Sequence, residues 1–498
     1  MNGGSKRQMP QLRAESAAPH PAATSHPPRH RVVLYNPEVE FFTMPLALVA
    51  IASSLDPRLY EIVVVDGRLE EDPSAAVTAQ LEGALCLGVT VLTGAPIEDA
   101  IRVSRAAKAH SPDLPVVWGG WHASMFGKDC LAEASVDVTV QGQGEITFAE
   151  VLDRLHNKQS IEGCLGCCYR GPDGVPCANP PRPFCNINEF ARHNYDLFDV
   201  ERFFRLKGKR QLDYISSQGC HFRCAFCADP FVYNRKWAGF TPERMGEEIE
   251  ILWNRYRFHD VNFQDETFFT YPRRVEGFAD QLISRKLPIT WAGTMRADQC
   301  YRLPEETFAK CKESGLRRVL MGVESGSQQM LDRIKKDIKL EQVHFAAERC
   351  KRYGIAMNIP FIVGFPDEAD DSVKATLDLV KELRTISPDF QTPIFYFKPY
   401  PGTSITQQAV ENGYSLPCNL EEWSAFDFVG SVGGPWVSPE KFELIERFKF
   451  FQQIAWDRSV GWRRTLQKAA QWRCRKDLYH LPLEKLVYEW LYPRPQLS

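Results

Sequence analysis

Ser216-Ser217-Gln218-Gly219-Cys220-His221-Phe222-Arg223-Cys224-Ala225-Phe226-Cys227 follows directly on the strand-like run Leu212-Asp213-Tyr214-Ile215. Three cysteines in C-x3-C-x2-C spacing thus share one short loop. Thiolates this close can converge on one soft metal centre, as they do around iron–sulfur clusters. A closed cluster takes four such ligands, and no fourth is at hand locally. One iron is therefore left open to an exchangeable ligand. Gly219 lets the backbone turn sharply beside the centre, and Phe226 sets an aromatic wall next to the last cysteine. A zinc knuckle is the competing reading. Zinc wants a fourth Cys or His, and His221 is the candidate, although it lies between two ligands on a tight loop.

Downstream of the loop, strand and helix patterns alternate five more times. The strands are read at Asp260–Gln264, Ile289–Ala292, Arg318–Val323, Met357–Val363 and Ile394–Phe397. With the strand before Cys220 they make six β/α units, short of the eight of a closed barrel. Functional residues belong at the carboxyl ends of such strands. There the chain carries Asp265 and Glu266, Arg296, Glu324 and Ser325, and Ile362 and Gly364. Each taken singly also reads as a helix cap, a place acidic and hydroxyl side chains favour.

Upstream, from Arg31 to about Leu155, five short apolar strands alternate with helical runs: Val32–Tyr35, Ile62–Val65, Cys86–Thr90, Pro115–Trp118 and Val136–Val140. This pattern predicts a parallel sheet wound on both faces. Ligands of such folds bind beyond the carboxyl ends of the strands, where this sequence places Gly94, Gly119, Gly120, Gly142 and Gly144. No G-x-G-x-x-G follows the first strand, which argues against a dinucleotide.

The cysteine stretch resembles the signature of the radical S-adenosylmethionine (SAM) superfamily, in which an aromatic residue precedes the third cysteine. The resemblance implies a [4Fe-4S] cluster on Cys220, Cys224 and Cys227, with SAM on the open iron, a 5′-deoxyadenosyl radical as its product, and a three-quarter barrel as the fold. It further implies SAM contacts at Phe226, Asp265, Glu266, Arg296, Glu324, Ser325, Ile362 and Gly364, and an electron donor such as flavodoxin or ferredoxin. Trp118-Gly119-Gly120-Trp121-His122, followed by Gln141-Gly142-Gln143-Gly144-Glu145, resembles the cobalamin-binding domain found ahead of many radical SAM barrels. Thr93, Gly94, Gly119, Gly120, His122, Gly142, Gly144 and Glu145 are its implied cobalamin contacts. The D-x-H-x-x-G motif of other corrinoid proteins is absent, so the resemblance implies a corrin with no protein imidazole on its lower face. Cobalamin-dependent methyl transfer to an unactivated carbon or to phosphorus is the favoured activity. An oxidative cyclase like the anaerobic magnesium-protoporphyrin monomethyl ester cyclase, or a non-catalytic corrinoid sensor, are the alternatives.

The expected architecture is α/β: a tail over 1–30, a flavodoxin-like cobalamin-binding domain over 31–155, a linker with a hairpin over 156–205, a partial (β/α)6 radical SAM barrel over 206–400, and a mostly helical region over 401–498. A chain of 498 residues is long enough for two or three cores. Its net charge of −3 argues against nucleic acid as the main partner and leaves a small-molecule substrate, large and apolar if the C-terminal aromatics line its pocket. Fifteen cysteines in a chain with no signal peptide or spanning segment in its pattern read as reduced thiols in the cytoplasm. Cys164, Cys167, Cys168, Cys177 and Cys185 surround the hairpin and read mainly as packing residues, with a second metal centre as the alternative. Adjacent Cys167 and Cys168 on a strand point to opposite faces. Near the C-terminus, Trp423, Trp436, Phe442, Phe448, Phe451, Trp456, Trp462 and Trp472 are expected to pack onto the open side of the barrel. Trp462, Leu466, Ala469 and Ala470 share a helical face amid basic residues, read as a solvated charged face rather than a membrane anchor.

Overall fold

The computed structural model describes residues 29–39, 43–426, 433–456 and 463–479. The first 28 residues of the expected tail, and Trp462, lie outside them. The first sheet holds β1 (His30–Asn36), β2 (Tyr60–Asp66), β3 (Ala84–Thr90), β4 (Val116–Gly119), β5 (Val138–Val140), β6 (Cys167–Arg170) and β7 (Pro176–Ala178), in the order β2-β1-β3-β4-β5-β6-β7. β1 to β5 are parallel, and their order is that of a flavodoxin-like sheet, whose switch point lies between β1 and β3. The hairpin read as part of a linker is the antiparallel edge of this same sheet, β6 pairing with β5. It turns at Gly171–Gly174, where Gly171 N–H donates to Val175 O at 2.9 Å. The two sheet faces carry separate apolar cores, and Cys167 lies in one while Cys168 lies in the other. Both thiols are buried, as packing residues on a covered sheet should be.

The second sheet is built from β8 (Gln211–Tyr214), β11 (Asp260–Phe263), β12 (Thr290–Thr294), β13 (Leu316–Leu320), β14 (Ala356–Asn358) and β16 (Phe390–Gln391), all parallel and laid side by side in chain order. Between β8 and β11, a short antiparallel pair, β9 (Ser217–Gly219) and β10 (Trp237–Gly239), brackets the cysteine loop. Trp291 anchors the interior among Phe263, Phe268, Phe269 and Phe278. The fifth strand, expected as one run, is cut in two. Pro360 has no N–H to give, and β15 (Phe361–Val363) leaves β14's partners to pair with β17 (Ile394–Tyr396). The sixth strand, expected at Ile394–Phe397, is not the sheet's last member: that place is taken by β16, and Pro393, which has no N–H, separates it from β17.

Most described C-terminal aromatics pack in one of two cores, but Trp472, expected to pack on the barrel, is exposed on the basic helix. Phe448 and Phe451 of the helix Pro439–Ala455 enter the barrel core with Ala470 and Cys474 of the helix Arg463–Lys476. Trp423 does not join them. With Leu420 and Phe426 it packs in the core of the first sheet, its ring 4.7 Å from Phe126 and 5.0 Å from Phe426. The reason lies in the sequence of the helix Leu420–Ser424: its apolar residues meet the helix Pro96–His110 while its glutamates stay exposed. The C-terminal region therefore ties both domains together. Among the described residues no helix is long and apolar enough to cross a membrane. Trp423→Ala should cost about 3–5 kcal/mol, seen as a lower urea midpoint for the N-terminal domain; an unchanged midpoint contradicts this docking.

Candidate functional site

The cysteine loop leaves β8 at Ser216 and is held there by one buried carboxylate. Asp265, at the carboxyl end of β11, accepts from Ser216 N–H at 2.7 Å, Ser216 Oγ at 2.5 Å and Ser217 Oγ at 2.8 Å. Burial pushes its pKa up, opposed by Arg274 and by these donors. Arg274 completes the knot, donating to Ser216 O at 2.9 Å and Oγ at 2.7 Å. Asp265, expected among the SAM contacts, thus spends its oxygens on the loop's root. Gly219 sits at φ +81, where a Cβ would stand 2.3 Å from Lys236 O, so no other residue fits the turn.

Cys220, Cys224 and Cys227 are half-buried. The loop between them is fixed by Ala225 N–H donating to Ile334 O at 2.8 Å and by Arg223 paired with Asp337 at 2.8 Å. Burial pushes the Cys220 thiol up to about 12. Cys227 rises well above the ordinary thiol value, mainly by burial, then by the charge of Asp229 and of the other two thiols. The three thus share one electrostatic neighbourhood. Among the described residues, no three Cys, His, Asp or Glu groups stand ready as a ligand set, so these thiols must turn inward to share a centre. Their loop fits a cluster with three protein ligands. His221, the candidate fourth zinc ligand, instead lies against Phe222, ring centroids 4.3 Å apart.

The other strand ends divide into bound and available groups. Ser325 Oγ is buried against Thr376 Oγ1 at 3.2 Å and accepts from Ser327 N–H at 3.1 Å, a structural use. Ile362 donates its N–H to Glu324 O at 2.8 Å. Gly364, at φ +73, gives its N–H to Glu368 Oε2 at 2.6 Å and takes Trp436 Nε1–H on its carbonyl at 2.5 Å. Glu324 stands at φ +72, a conformation that costs a non-glycine residue of order 1–3 kcal/mol and collects at functional sites. Its Oε1 accepts from Lys336 Nζ at 2.6 Å, both side chains buried, and Lys336 Nζ lies 5.7 Å from the Phe226 ring. Sequence reasoning missed Lys336, since no spacing rule links it to Glu324. Glu266 has one buried oxygen, Oε2, with no partner, and burial and Asp229 hold its carboxyl well above the usual range.

A cavity of about 340 Å³ runs between the domains. The first sheet lines it with Gly88, Gly119, Gly120, Gly142 and Gly144; the barrel side contributes Gln218, Tyr233, Gln264 and Glu266. A Cβ on Gly119 would meet nothing nearer than 3.9 Å, and on Gly142 nothing within 4 Å. Gly119 and Gly142 therefore border open space, whereas a Cβ on Gly120 would meet Val91 N at 2.9 Å and one on Gly144 Ile51 Cδ1 at 3.1 Å; the open floor at Gly119 and Gly142 suits a flat ligand such as a corrin. Glu145 lines it too, its pKa raised by burial, and accepts from Gln218 Nε2 at 2.7 Å. His122 is not among the lining residues. It is fully buried, its Nδ1 3.1 Å from Thr93 Oγ1 and its ring 4.9 Å from Phe126 and 5.9 Å from Trp423. Burial lowers it to about 4, a neutral core histidine. Thr93 serves His122, and Gly94 O accepts the Ile97 N–H that starts the next helix; neither lines the cavity.

Comparison with known proteins finds two known domains in this order. Residues 33–152 match the B12 binding domain and residues 214–380 the radical SAM superfamily. An uncharacterised methyltransferase of Pyrococcus horikoshii is 30% identical over 388 residues, covering 77% of this chain and 82% of its own. The anaerobic magnesium-protoporphyrin IX monomethyl ester cyclase of Rubrivivax gelatinosus is 26% identical over 72% of this chain and 64% of its own. The solved structure of the cobalamin-dependent S-adenosylmethionine radical enzyme OxsB, with aqua-cobalamin and S-adenosylmethionine bound, superposes with a TM-score of 0.70 at 18% identity, over 94% of this chain and 73% of that one. At that identity the likeness establishes the fold.

Replacing Cys220, Cys224 and Cys227 together by Ala should abolish the binding of about four irons per cluster after anaerobic reconstitution. Iron retained in full would move the centre to the cysteines between Cys164 and Cys185. Asp265→Ala, which strands buried donors and Arg274, should cost about 3–5 kcal/mol, read by thermal unfolding; a neutral result contradicts its role at the loop's root.

Proposed function

The chain belongs to the radical SAM superfamily, with a B12 binding domain ahead of its barrel, and we propose that it is a cobalamin-dependent methyltransferase acting on an unactivated carbon, or on phosphorus, of a biosynthetic intermediate. The observation that carries this reading is a cavity lined from both domains. It lets a methyl carrier and a radical source meet without crossing bulk water. When bound, the [4Fe-4S] cluster and SAM supply a 5′-deoxyadenosyl radical, and cobalamin supplies methyl.

The protein's own part is placement and exclusion of water. Cys220, Cys224 and Cys227 hold the cluster on a loop rooted by Asp265. Phe226 packs against Phe365, ring centroids 6.1 Å apart, and walls the last cysteine. Glu324 and Lys336 offer a paired acid and base beside that wall, suited to a ligand carrying both a carboxylate and hydroxyls. Glu266, its carboxyl pushed up by burial and one oxygen without a partner, offers an acceptor to an N–H or O–H from the cavity side. Gly119 and Gly142 would leave a corrin room, and the Gln218–Glu145 hydrogen bond closes the seam between the domains beside the cavity. A cob(II)alamin-bound form should accordingly show no histidine nitrogen coupling.

Methyl transfer and cyclisation both release 5′-deoxyadenosine, so the test follows the methyl group. Reduced, cobalamin-loaded protein is incubated with methyl-labelled SAM. S-adenosylhomocysteine should form and label should enter the corrinoid fraction. Glu324→Ala should lower 5′-deoxyadenosine formation by about 10- to 100-fold. If 5′-deoxyadenosine accumulates with neither S-adenosylhomocysteine nor transferred label, the methyltransferase reading is wrong and the cyclase reading replaces it.

A further inference from the structure

Arg296 follows β12 and was expected from sequence to contact SAM. Its guanidinium is instead occupied on every side by the cysteine loop and its support. Nη1 lies 3.7 Å from Cys224 Sγ. The planar face covers the Phe222 ring at 3.7 Å from its centroid. Nε donates to Asp298 Oδ1 at 2.9 Å, and Nη2 donates to Lys336 O. Only 6% of the residue is exposed. Gln299 Oε1 accepts Arg296 N–H at 2.9 Å and fixes the backbone beneath it. This is a planar fork used at each of its positions, which a lysine could not reproduce.

We infer that Arg296 sets the reduction potential of the cluster carried by Cys220, Cys224 and Cys227, by donating an Nη1–H hydrogen bond to the Cys224 sulfur and by fixing a positive charge beside it. The inference rests on the cluster assignment proposed above. One-electron reduction by an external donor adds a negative charge to the cluster and breaks no bond. A fixed cation nearby stabilises that reduced form more than the oxidised one, and hydrogen bonds to the sulfurs act in the same direction. Burial keeps water and salt from screening it. The carboxylate on the other side does not cancel the charge, because Asp298 is shared: its Oδ2 also accepts from Arg302 at 2.5 Å. Two arginines over one aspartate leave a net positive environment on the Cys224 side. The same group holds the loop in place through Lys336 O, in the segment that accepts Ala225 N–H at Ile334 O.

The arrangement makes two predictions of opposite sign. Wild type, Arg296→Met and Asp298→Asn are reconstituted anaerobically with iron and sulfide, and the reduced-cluster EPR signal is followed through a redox titration without SAM. Arg296→Met should shift the midpoint to more negative potential, and Asp298→Asn, which frees the arginine's charge, to more positive potential. With iron content equal to wild type, an Arg296→Met midpoint at or above that of wild type overturns the inference. If Arg296→Met holds no iron, Asp298→Asn decides: a higher midpoint supports the inference, and an unchanged or lower one overturns it. Loss of iron in both variants makes the pair structural and also overturns it. A wild type that binds no cluster refutes the cluster assignment instead, a separate result.

Discussion

A short run of amide hydrogen bonds joins the two sheets where their functional ends meet. Cys185 N–H donates to Gln143 Oε1 at 2.6 Å, Gln143 Nε2 donates to Gln218 Oε1 at 2.8 Å, and Gln218 Nε2 donates to Glu145 Oε1 at 2.7 Å. Gln143 and Glu145 flank the glycine that opens a helix of the first domain. Gln218 lies two residues before the first cluster cysteine. Each amide gives and takes within a largely buried seam, and a partly satisfied network there would be costly. The relative placement of cradle and cysteine loop therefore depends on this one register of polar side chains.

The barrel side repeats the same economy. Asp265, Arg274, Arg296, Asp298, Glu324 and Lys336 are charged groups buried or nearly so, and almost every polar atom they carry has a partner. Breaking such a set by removing one member costs several kcal/mol, because its partner stays buried and unpaired. Among their partners are Ser216 and Ser217 at the root of the cysteine loop and the Lys336 carbonyl in the segment that supports it. These charges specify where a loop with little apolar packing of its own must sit. Glu324, held at positive φ with its carboxylate on Lys336, is the strained member of the set.

Much of this was legible in the sequence because the signals were periodic or tightly spaced. The five parallel strands of the first sheet, the first five barrel strands and the cysteine loop all follow from alternation or from a motif, whereas the sixth barrel strand lies at Phe390–Gln391, ahead of the run read at Ile394–Phe397. What sequence reasoning missed follows from contact rather than pattern. Pro360 divides a strand whose apolar run reads as continuous, and the two-residue strand Phe390–Gln391 before Pro393 is too short to leave an apolar run. Asp265, Arg296 and Ser325 stand at the carboxyl ends of strands, where ligand contacts are expected, but their side chains engage neighbouring side chains and backbone. Trp423 reads like the other C-terminal aromatics, and the partner core it joins lies some 300 residues earlier in the chain. Lys336 and Gln218 carry no signature, since a lone lysine or glutamine is usually solvated. His122, within a recognisable motif, is a core residue because its ring sits among Phe126 and Trp423.

The proposed function puts a corrin, free of any protein imidazole, in the cavity that reaches Gln218 and Tyr233 on either side of the cluster loop. It is tested most directly by EPR of protein loaded with both cob(II)alamin and the [4Fe-4S] cluster, recorded before and after the cluster is reduced. The account predicts a cobalt spectrum without histidine nitrogen splitting, broadened by the nearby cluster spin once that cluster is reduced. A nitrogen splitting that vanishes in His122→Ala, or a cobalt signal indifferent to the cluster's redox state, would contradict it.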